Sequence, residues 1–325
     1  MPPFVSEPNQ SLTGSATTVL EHRLVLVLGK GGVGKSTFAA ALARLRAARG
    51  QNVLLCEVNA DNRLAKLLGV PPTGDDIEKV GDSLFLCNLK PEAALHEYAV
   101  MKLKLDRVVK KLLANSVVHH FLRLLPSLPE ITMLGKLLFH VREEHRGRPR
   151  FDAVILDAPA TGHGLSLLGV PQTLLATVPE GPLREDMTWM NALLVDPQIT
   201  TSVLVTLCEE LPVNETLELS AALRDRLHVP RGIGLANGLW PDRFSPAALD
   251  EIRAKAPAAA SAVAERFATE ATGNREQLAR LRRDLDLPVA ELPLIFDAAD
   301  GAKLTERAQA LLAQALTATP LRGPA

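Results

Sequence analysis

The chain has 325 residues, a formal net charge of −1 and 22% charged residues, an ordinary balance for a globular protein. Because a general nucleic-acid binder carries a basic excess, this near-neutral charge predicts no nucleic-acid partner. No apolar run approaches the roughly 20 residues of a membrane span, so no transmembrane segment is expected. The three cysteines, Cys56, Cys87 and Cys208, form no CxxC pair. Such a scattered set suits a reducing compartment, and we expect a cytoplasmic protein.

The N-terminal residues differ in composition from the remainder of the chain. Residues 1–20 are rich in Pro, Ser and Thr and lack an apolar run, which predicts a disordered tail and no secretory signal. Residues 21–320 are expected to form a single domain, large for one core and therefore carrying insertions.

The first motif is a glycine-rich loop between a predicted strand and a predicted helix. Apolar Leu24–Leu28 runs into GKGGVGKST, and strong helix formers follow. Glycines let backbone N–H groups converge on phosphates at a helix N-terminus, so this order predicts a phosphate-binding loop (P-loop), with a plain glycine turn as the alternative. Lys35 is expected to contact the β- and γ-phosphates and Ser36 to bind Mg²⁺. The residues predicted to bind nucleotide here are Gly29, Lys30, Gly31, Gly32, Val33, Gly34, Lys35, Ser36 and Thr37.

Short apolar strands alternate with helical stretches along the chain. This rhythm predicts an α/β fold, doubly wound, with a mostly parallel sheet of the P-loop NTPase type and ligands at the carboxyl ends of its strands. The later strands are predicted at Val53–Val58, Leu84–Leu89, Asp152–Leu156, Leu174–Val178, Val203–Cys208, Gly232–Ala236 and Pro288–Leu292.

Two helical insertions interrupt the rhythm, at about 92–148 and 182–200. The first exceeds the length of an ordinary crossover, and Met101, Leu105, Val108 and Leu112 fall on one face of a predicted helix within it. An apolar stripe of this kind is typical of a helical subdomain packed on itself. The alternative is a hydrophobic groove, opened and closed by nucleotide, that holds an apolar client segment.

A second motif, DAPATGHGL, follows the strand that ends at Leu156. Asp157 at the end of a buried strand beside a P-loop is suited to hold the Mg²⁺ shell, as a Walker B acid does. Its alternative role is to cap the next turn. The glycine-containing loop after it is able to move when the γ-phosphate binds or leaves.

The P-loop, VNADNRL, LPSLPEITMLGKL and DAPATGH together resemble the arsenite-pump and tail-anchored-protein-targeting ATPase family, which has a deviant P-loop. The resemblance implies a homodimer that binds ATP and Mg²⁺ and couples ATP-driven closure to an unidentified protein cargo or membrane-protein partner. It implies that Lys30 acts across the dimer interface and that Thr37 lies near the α-phosphate. Asn237 resembles the asparagine that reads adenine, unless it is a plain Asn-Gly turn, and Pro293 begins a segment expected to wall the base.

The chain also departs from that family. It lacks the CxxC pair and the cysteine cluster used for zinc or metalloid, and Asn59 stands where the family carries a catalytic switch I aspartate. Asp61 takes over as the water-polarising carboxylate, or the chain is a slow nucleotide switch; the loop length favours Asp61. Two other functions remain open. One is a positioning or partition-type ATPase bound to a membrane surface or scaffold through amphipathic Leu304–Leu316, and the other is a P-loop ligase or kinase.

Overall fold

The computed structural model describes residues 19–103 and 127–318. The strands are β1 (Leu24–Leu28), β2 (Val53–Val58), β3 (Glu78–Lys79), β4 (Leu84–Leu89), β5 (Glu144–His145), β6 (Arg148–Pro149), β7 (Ala153–Asp157), β8 (Thr200–Leu207), β9 (Ile233–Leu239) and β10 (Val289–Pro293). The helices are α1 (Lys35–Ala47), α2 (Arg63–Leu68), α3 (Pro91–Leu103), α4 (Leu128–Arg142), α5 (Thr161–Leu175), α6 (Pro182–Val195), α7 (Glu210–Ala222), α8 (Pro246–Lys255), α9 (Ala258–Asp284) and α10 (Gly301–Ala318). A π-helical turn, Leu223–Leu227, continues α7.

Eight strands form one sheet in the order β10-β9-β8-β1-β7-β2-β4-β3, and only β3 runs antiparallel to its neighbour. The remaining two strands, β5 and β6, form a separate hairpin. β1 lies in the middle of the sheet, between β7 and β8, and all five of its residues are buried. Continuous apolar strands of this kind belong to a parallel sheet that is covered on both faces, so the predicted fold class is confirmed.

The two faces of the sheet carry separate cores, which follow the alternation of side chains along each strand. On one face Leu24, Leu26 and Leu28 pack with apolar residues of α4, α5, α6, α7 and α9. On the other face Val25 and Val27 pack with α1, α2 and α10. The P-loop leaves β1 at the carboxyl edge of the sheet, where β7, β2, β8 and β9 also end. Loops from five strands therefore converge around it.

The predicted strand Leu174–Val178 is wrong. Its first two residues close α5, and the N–H groups of Thr177 and Val178 donate to the Leu174 carbonyl in a helix-terminal turn. A short apolar run cannot be assigned to strand or helix by periodicity alone, and here the preceding helix continues into it. The other predicted strands are confirmed within a few residues at their ends.

Three further expectations concern the ends and the insertions. The predicted tail extended to residue 20, but Val19 and Leu20 are buried against the core, so the folded part begins earlier. Helices α3 and α4 lie within the first predicted insertion and α6 within the second, while the predicted face at Leu105, Val108 and Leu112 lies outside the described residues. Within the described part of the chain, no helix is long and apolar enough to cross a membrane.

The amphipathic C-terminal stretch forms α10, and its apolar side packs into the core. Ala308, Leu312 and Leu316 are buried at 3%, 0% and 1% exposure. The helix lies against α1, α2 and β10. Because its apolar side is covered within the chain, α10 offers a membrane little apolar surface, and the positioning-type alternative loses its anchor.

Candidate functional site

The P-loop wraps the N-terminus of α1 in a conformation that requires glycine at two positions. Gly29 has φ of +147°, and a Cβ there would lie 2.2 Å from the Val205 carbonyl oxygen of β8. Gly34 has φ of +95°, and a Cβ there would lie 2.2 Å from the amide nitrogen of Asn237. The glycine spacing therefore reflects both backbone geometry and close approach by neighbouring strands.

Two P-loop side chains point into the fold. Lys35 is 7% exposed, and its ammonium group donates to the Lys30 carbonyl at 2.7 Å. Ser36 is also 7% exposed, and its hydroxyl donates to Asp157 Oδ2 at 2.6 Å. The structure thus brings together Ser36 and Asp157, the two residues that the sequence predicts as magnesium ligands, although they are more than a hundred positions apart.

This cluster contains two buried side chains of opposite charge, Asp157 and Lys35, and burial shifts the pKa of each. Burial raises the pKa of Asp157 above its usual range, although the Ser36 hydrogen bond and the nearby Lys35 counteract this. Burial also lowers the pKa of Lys35, and Asp157 counteracts it. Such opposed shifts arise where charged groups are held together with little water, and these conditions are typical of functional sites.

A divalent cation fits this position. Asp157 Oδ1 is buried and has no hydrogen-bond partner among the described residues, so the carboxylate retains an acceptor beside the Ser36 hydroxyl. Oxygen donors of this type suit Mg²⁺, which is commonly held by one or two protein oxygens together with water and phosphate. Within the described ranges no cluster of three or more His, Cys, Asp or Glu side chains forms a metal cage of its own. The residues therefore fit a cation that arrives with phosphate.

Sequence reasoning missed three side chains at this edge of the sheet. Glu57 of β2 is 1% exposed, and its Oε2 accepts the Leu64 N–H at 3.2 Å. Asn88 of β4 is fully buried and bonds both the N–H and the carbonyl of Ala60. A guanidinium nitrogen of Arg63 lies 3.5 Å from Ser36 Oγ. The signal for the first two is a polar residue inside an otherwise apolar strand, VLLCEV or LFLCNL.

The loop between β2 and α2 carries Asn59 and Asp61, the two candidates for the switch I carboxylate position. Asn59 is exposed with φ of +45°, a left-handed conformation that asparagine adopts readily. Its N–H donates to the Leu89 carbonyl at 2.9 Å. The Asp61 side chain is 100% exposed, and its carboxylate lies 3.5 Å from Lys66 Nζ. The roles of both residues stay predictions.

Lys30, the second lysine of the loop, is paired with a carboxylate of α7. Its ammonium group donates to Glu215 Oε1 of α7 at 2.7 Å, and both side chains are about one-third exposed, at 30% and 31%. Glu215 was not among the residues predicted for the site. Lys30 therefore lies at the surface next to the P-loop, where a second molecule can reach it, and its predicted action across an interface stays a prediction.

The residues predicted to surround the base lie at the ends of β9 and β10. The Asn237 amide donates to the Val33 carbonyl at 2.9 Å, which ties β9 to the P-loop. Pro293 pairs with Leu239, and the next N–H, that of Leu294, donates to the Leu239 carbonyl. Phe296, in the segment expected to wall the base, stacks on Phe267 with ring centroids 5.8 Å apart.

Comparison with known proteins agrees with this geometry. The profile of the anion-transporting ATPase family matches residues 22–180, the part that contains the P-loop, Glu57 and Asp157. ATPase BagA of Mycobacterium tuberculosis is 33% identical over 90% of this chain and 93% of its own length. This chain belongs to the anion-transporting ATPase family. A more distant member, ATPase GET3 of Zygosaccharomyces rouxii, is 26% identical over 66% of this chain and 71% of that protein.

Membership of the anion-transporting ATPase family confirms the resemblance seen in the sequence and makes the chain a P-loop ATPase by descent. It also explains why the P-loop and the Asp157 loop occur together. Asn59 and the three buried cysteines are facts of its own sequence, and the family profile does not change their chemistry.

Proposed function

We propose that the chain binds ATP with Mg²⁺ and hydrolyses it to ADP and phosphate. The observation that carries this proposal is the 2.6 Å hydrogen bond between Ser36 and Asp157, because it sets a P-loop hydroxyl and a strand-end carboxylate at one position beside Lys35. Bound Mg²⁺ would neutralise negative charge that develops on the phosphates during transfer. Ser36 and Asp157 would hold it, Lys35 would turn from the Lys30 carbonyl to the phosphates, and the P-loop N–H groups would orient them.

The catalytic unit in this proposal is a homodimer, with each Lys30 acting on the nucleotide of the partner. The support is a second P-loop lysine that is about one-third exposed and is held by a surface carboxylate, in a chain with one P-loop. An ammonium group is attracted more strongly to a polyphosphate than to a single carboxylate. Closure of two chains would therefore let Lys30 exchange Glu215 for the phosphates of the partner's nucleotide.

Turnover and affinity of Lys30 and Lys35 variants test this proposal. Lys35→Ala should lose both nucleotide binding and turnover, whereas Lys30→Ala should keep ATP affinity within about threefold and lose turnover by about 10²-fold or more. Lys303→Ala, which removes an exposed lysine from α10, serves as the matched control. ATP-saturated wild-type protein that remains monomeric in light scattering would contradict the dimeric part alone.

A partner-handling role is the second component of the proposal. A cavity of about 650 Å³ opens between α3, α4 and α6, and its apolar lining includes Ala94, Phe139, Trp189 and Met190. Phe139 is 46% exposed, although the other apolar residues of α4 from Ile131 to Val141 are buried. A concave apolar site of this size accommodates apolar side chains of a bound segment.

Hydrogen exchange tests the partner-handling role. Protection of α4 and α6 should differ between the ADP-bound protein and the protein bound to a non-hydrolysable ATP analogue, because closure of the dimer would reshape the cavity. Strand β4, which is paired with β2 on one side and with β3 on the other, supplies the internal control. Equally strong protection of α4 and α6 in the two states would show that this subdomain is ordinary core.

A further inference from the structure

We propose that Glu57 is a second carboxylate of the cation site and that it links this site to the loop between β2 and α2. The inference rests on the proposed function, because it concerns the same nucleotide-bound cation. Glu57 and Asp157 are directly opposed in the parallel pairing of β2 with β7. Paired residues of adjacent strands point to the same face of a sheet, so both carboxylates face the side on which α1 carries Ser36.

The burial of Glu57 demands a partner that the protein supplies only in part. One carboxylate oxygen, Oε2, accepts the Leu64 N–H. The other, Oε1, is buried and has no hydrogen-bond partner among the described residues. Asp157 next to it shows the same pattern, with Oδ2 bonded to Ser36 and Oδ1 unpaired. Two neighbouring buried carboxylates with one unpaired oxygen each are costly unless something positive or hydrogen-donating joins them.

A hydrated divalent cation satisfies both unpaired oxygens. Mg²⁺ keeps several water molecules in its shell, and these waters donate hydrogen bonds to nearby carboxylates. Asp157 and Ser36 are the nearer ligand candidates because they already contact each other. Glu57 would therefore act on the shell of the cation as a positioning residue, in the way that outer carboxylates tune metal affinity in other sites.

A purely structural role explains only half of the Glu57 contacts. Acceptance of the Leu64 N–H stabilises the start of α2, but a glutamine or a short polar residue would serve equally well for that bond. The remaining oxygen, Oε1, would then stay buried without a hydrogen-bond partner among the described residues, with only the N–H and the guanidinium of Arg63 nearby to offset the charge of Glu57. The guanidinium of Arg63 also lies near this cluster, 3.5 Å from Ser36 Oγ, so positive charge is already drawn to the same position.

The two oxygens of Glu57 connect the cation site to the loop between β2 and α2. Residues 59–62 lie between Glu57 and its hydrogen-bond partner Leu64, and this loop carries Asn59 and Asp61. Its other support is Asn88, which holds both backbone groups of Ala60. Cation binding that fixes Glu57 would therefore also fix the end of this loop.

Manganese binding in the presence of a non-hydrolysable ATP analogue tests the inference, with Mn²⁺ as the spectroscopic probe and the full chain as the sample. Glu57→Gln keeps the acceptor for Leu64 and removes the charge, so the Kd for Mn²⁺ should rise by about 10–100-fold. Affinity for the analogue in EDTA should stay within about twofold of wild type. Glu306→Gln, which removes an exposed carboxylate from α10, should leave both affinities unchanged.

The outcomes separate this inference from the proposed function. Unchanged Mn²⁺ affinity in folded Glu57→Gln would overturn the inference alone and leave Glu57 as a support for α2. Wild-type protein that binds neither the analogue nor Mn²⁺ would overturn the proposed function and this inference with it. Hydrogen exchange of the wild type adds a reading that needs no variant: Mn²⁺ added to the analogue-bound protein should slow exchange in residues 59–68. Unaltered exchange there would refute the link to the loop.

Discussion

At the residue scale, the P-loop is held by a side chain from a different part of the chain. Asn237 donates to the Val33 carbonyl, and Gly34 leaves the space that its amide occupies. The sequence indicates an adenine reader or an Asn-Gly turn at this position, and the structure adds support of the P-loop as a third role. The substitution Asn237→Asp separates these roles. An Asp side chain keeps the shape of Asn but cannot donate a hydrogen bond when it is ionised.

We expect Asn237→Asp to weaken ATP and GTP binding by a similar factor, about tenfold. The reason is that loss of one buried hydrogen bond and the introduction of a negative charge near phosphates cost about 1–3 kcal/mol whichever base is bound. Isothermal titration calorimetry with each nucleotide measures the loss of affinity for ATP and for GTP. A variant that loses ATP affinity while GTP affinity holds or improves would show instead that Asn237 reads the adenine edge.

Asn59 and Asp61 pose the second question at this scale. The sequence favours Asp61 as the substitute carboxylate, but the structure places its side chain fully in solvent beside Lys66. The slow-switch account therefore gains support, and we expect Asn59→Asp to raise single-turnover hydrolysis by about 10²-fold, since a positioned base contributes about 10²–10⁴-fold. Asparagine and aspartate both tolerate the left-handed backbone at this position. A large loss of turnover in Asp61→Asn, with no gain in Asn59→Asp, would restore Asp61 as the catalytic carboxylate.

At the scale of elements, α1 is secured at its far end by a fully buried arginine. Arg46 is 0% exposed and donates to the carbonyls of Val19 and His22 and to Gln51. Burial lowers its pKa to about 10, so it remains charged at neutral pH. This contact network explains why Val19 and Leu20 belong to the core and not to the predicted tail.

Arg46→Ala should lower the free energy of unfolding by about 3 kcal/mol, because it leaves buried carbonyls without donors and opens a cavity. Urea denaturation followed by circular dichroism gives the value. Arg49→Ala, on an exposed residue in the turn that follows the same helix, should change stability by less than about 0.5 kcal/mol. Equal effects of the two substitutions would show that the buried contacts of Arg46 contribute little.

The elements also show how far a sequence can be interpreted. Long apolar strands and the P-loop were predictable because each carries its own local pattern, whereas Leu174–Val178 was assigned wrongly because so short and mostly apolar a run has no distinguishing period. Glu57, Asn88 and Glu215 were missed for another reason. Their roles depend on neighbours that are distant in the sequence and meet only in the folded chain, and Glu57 meets Asp157 only through the pairing of β2 with β7. Local pattern predicts elements well and predicts contacts between them poorly.

At the scale of the whole molecule, the central question is what controls dimer closure. Lys30 forms an ion pair with Glu215 in its own chain, and the proposed function requires the same ammonium group to reach the nucleotide of a partner chain. One lysine cannot hold both positions, so the two contacts compete. Because the pair is about one-third exposed, its strength is modest, on the order of 1 kcal/mol or less. A contact of this strength can restrain closure without preventing it.

Removal of the carboxylate should therefore favour the closed dimer. We expect Glu215→Gln to dimerise at an ATP-analogue concentration several-fold below that of wild type, since releasing about 1 kcal/mol per chain shifts the equilibrium about fivefold for each of two lysines. Glu218→Gln, an exposed residue one turn further along α7, controls for the loss of negative charge on this face. Added salt should bring the analogue concentrations at which Glu215→Gln and wild type dimerise closer together, because salt screens an exposed ion pair. Sedimentation measures both effects. A Glu215→Gln protein that dimerises less readily than wild type would show that Glu215 assists closure, and the competition between the two contacts would be refuted.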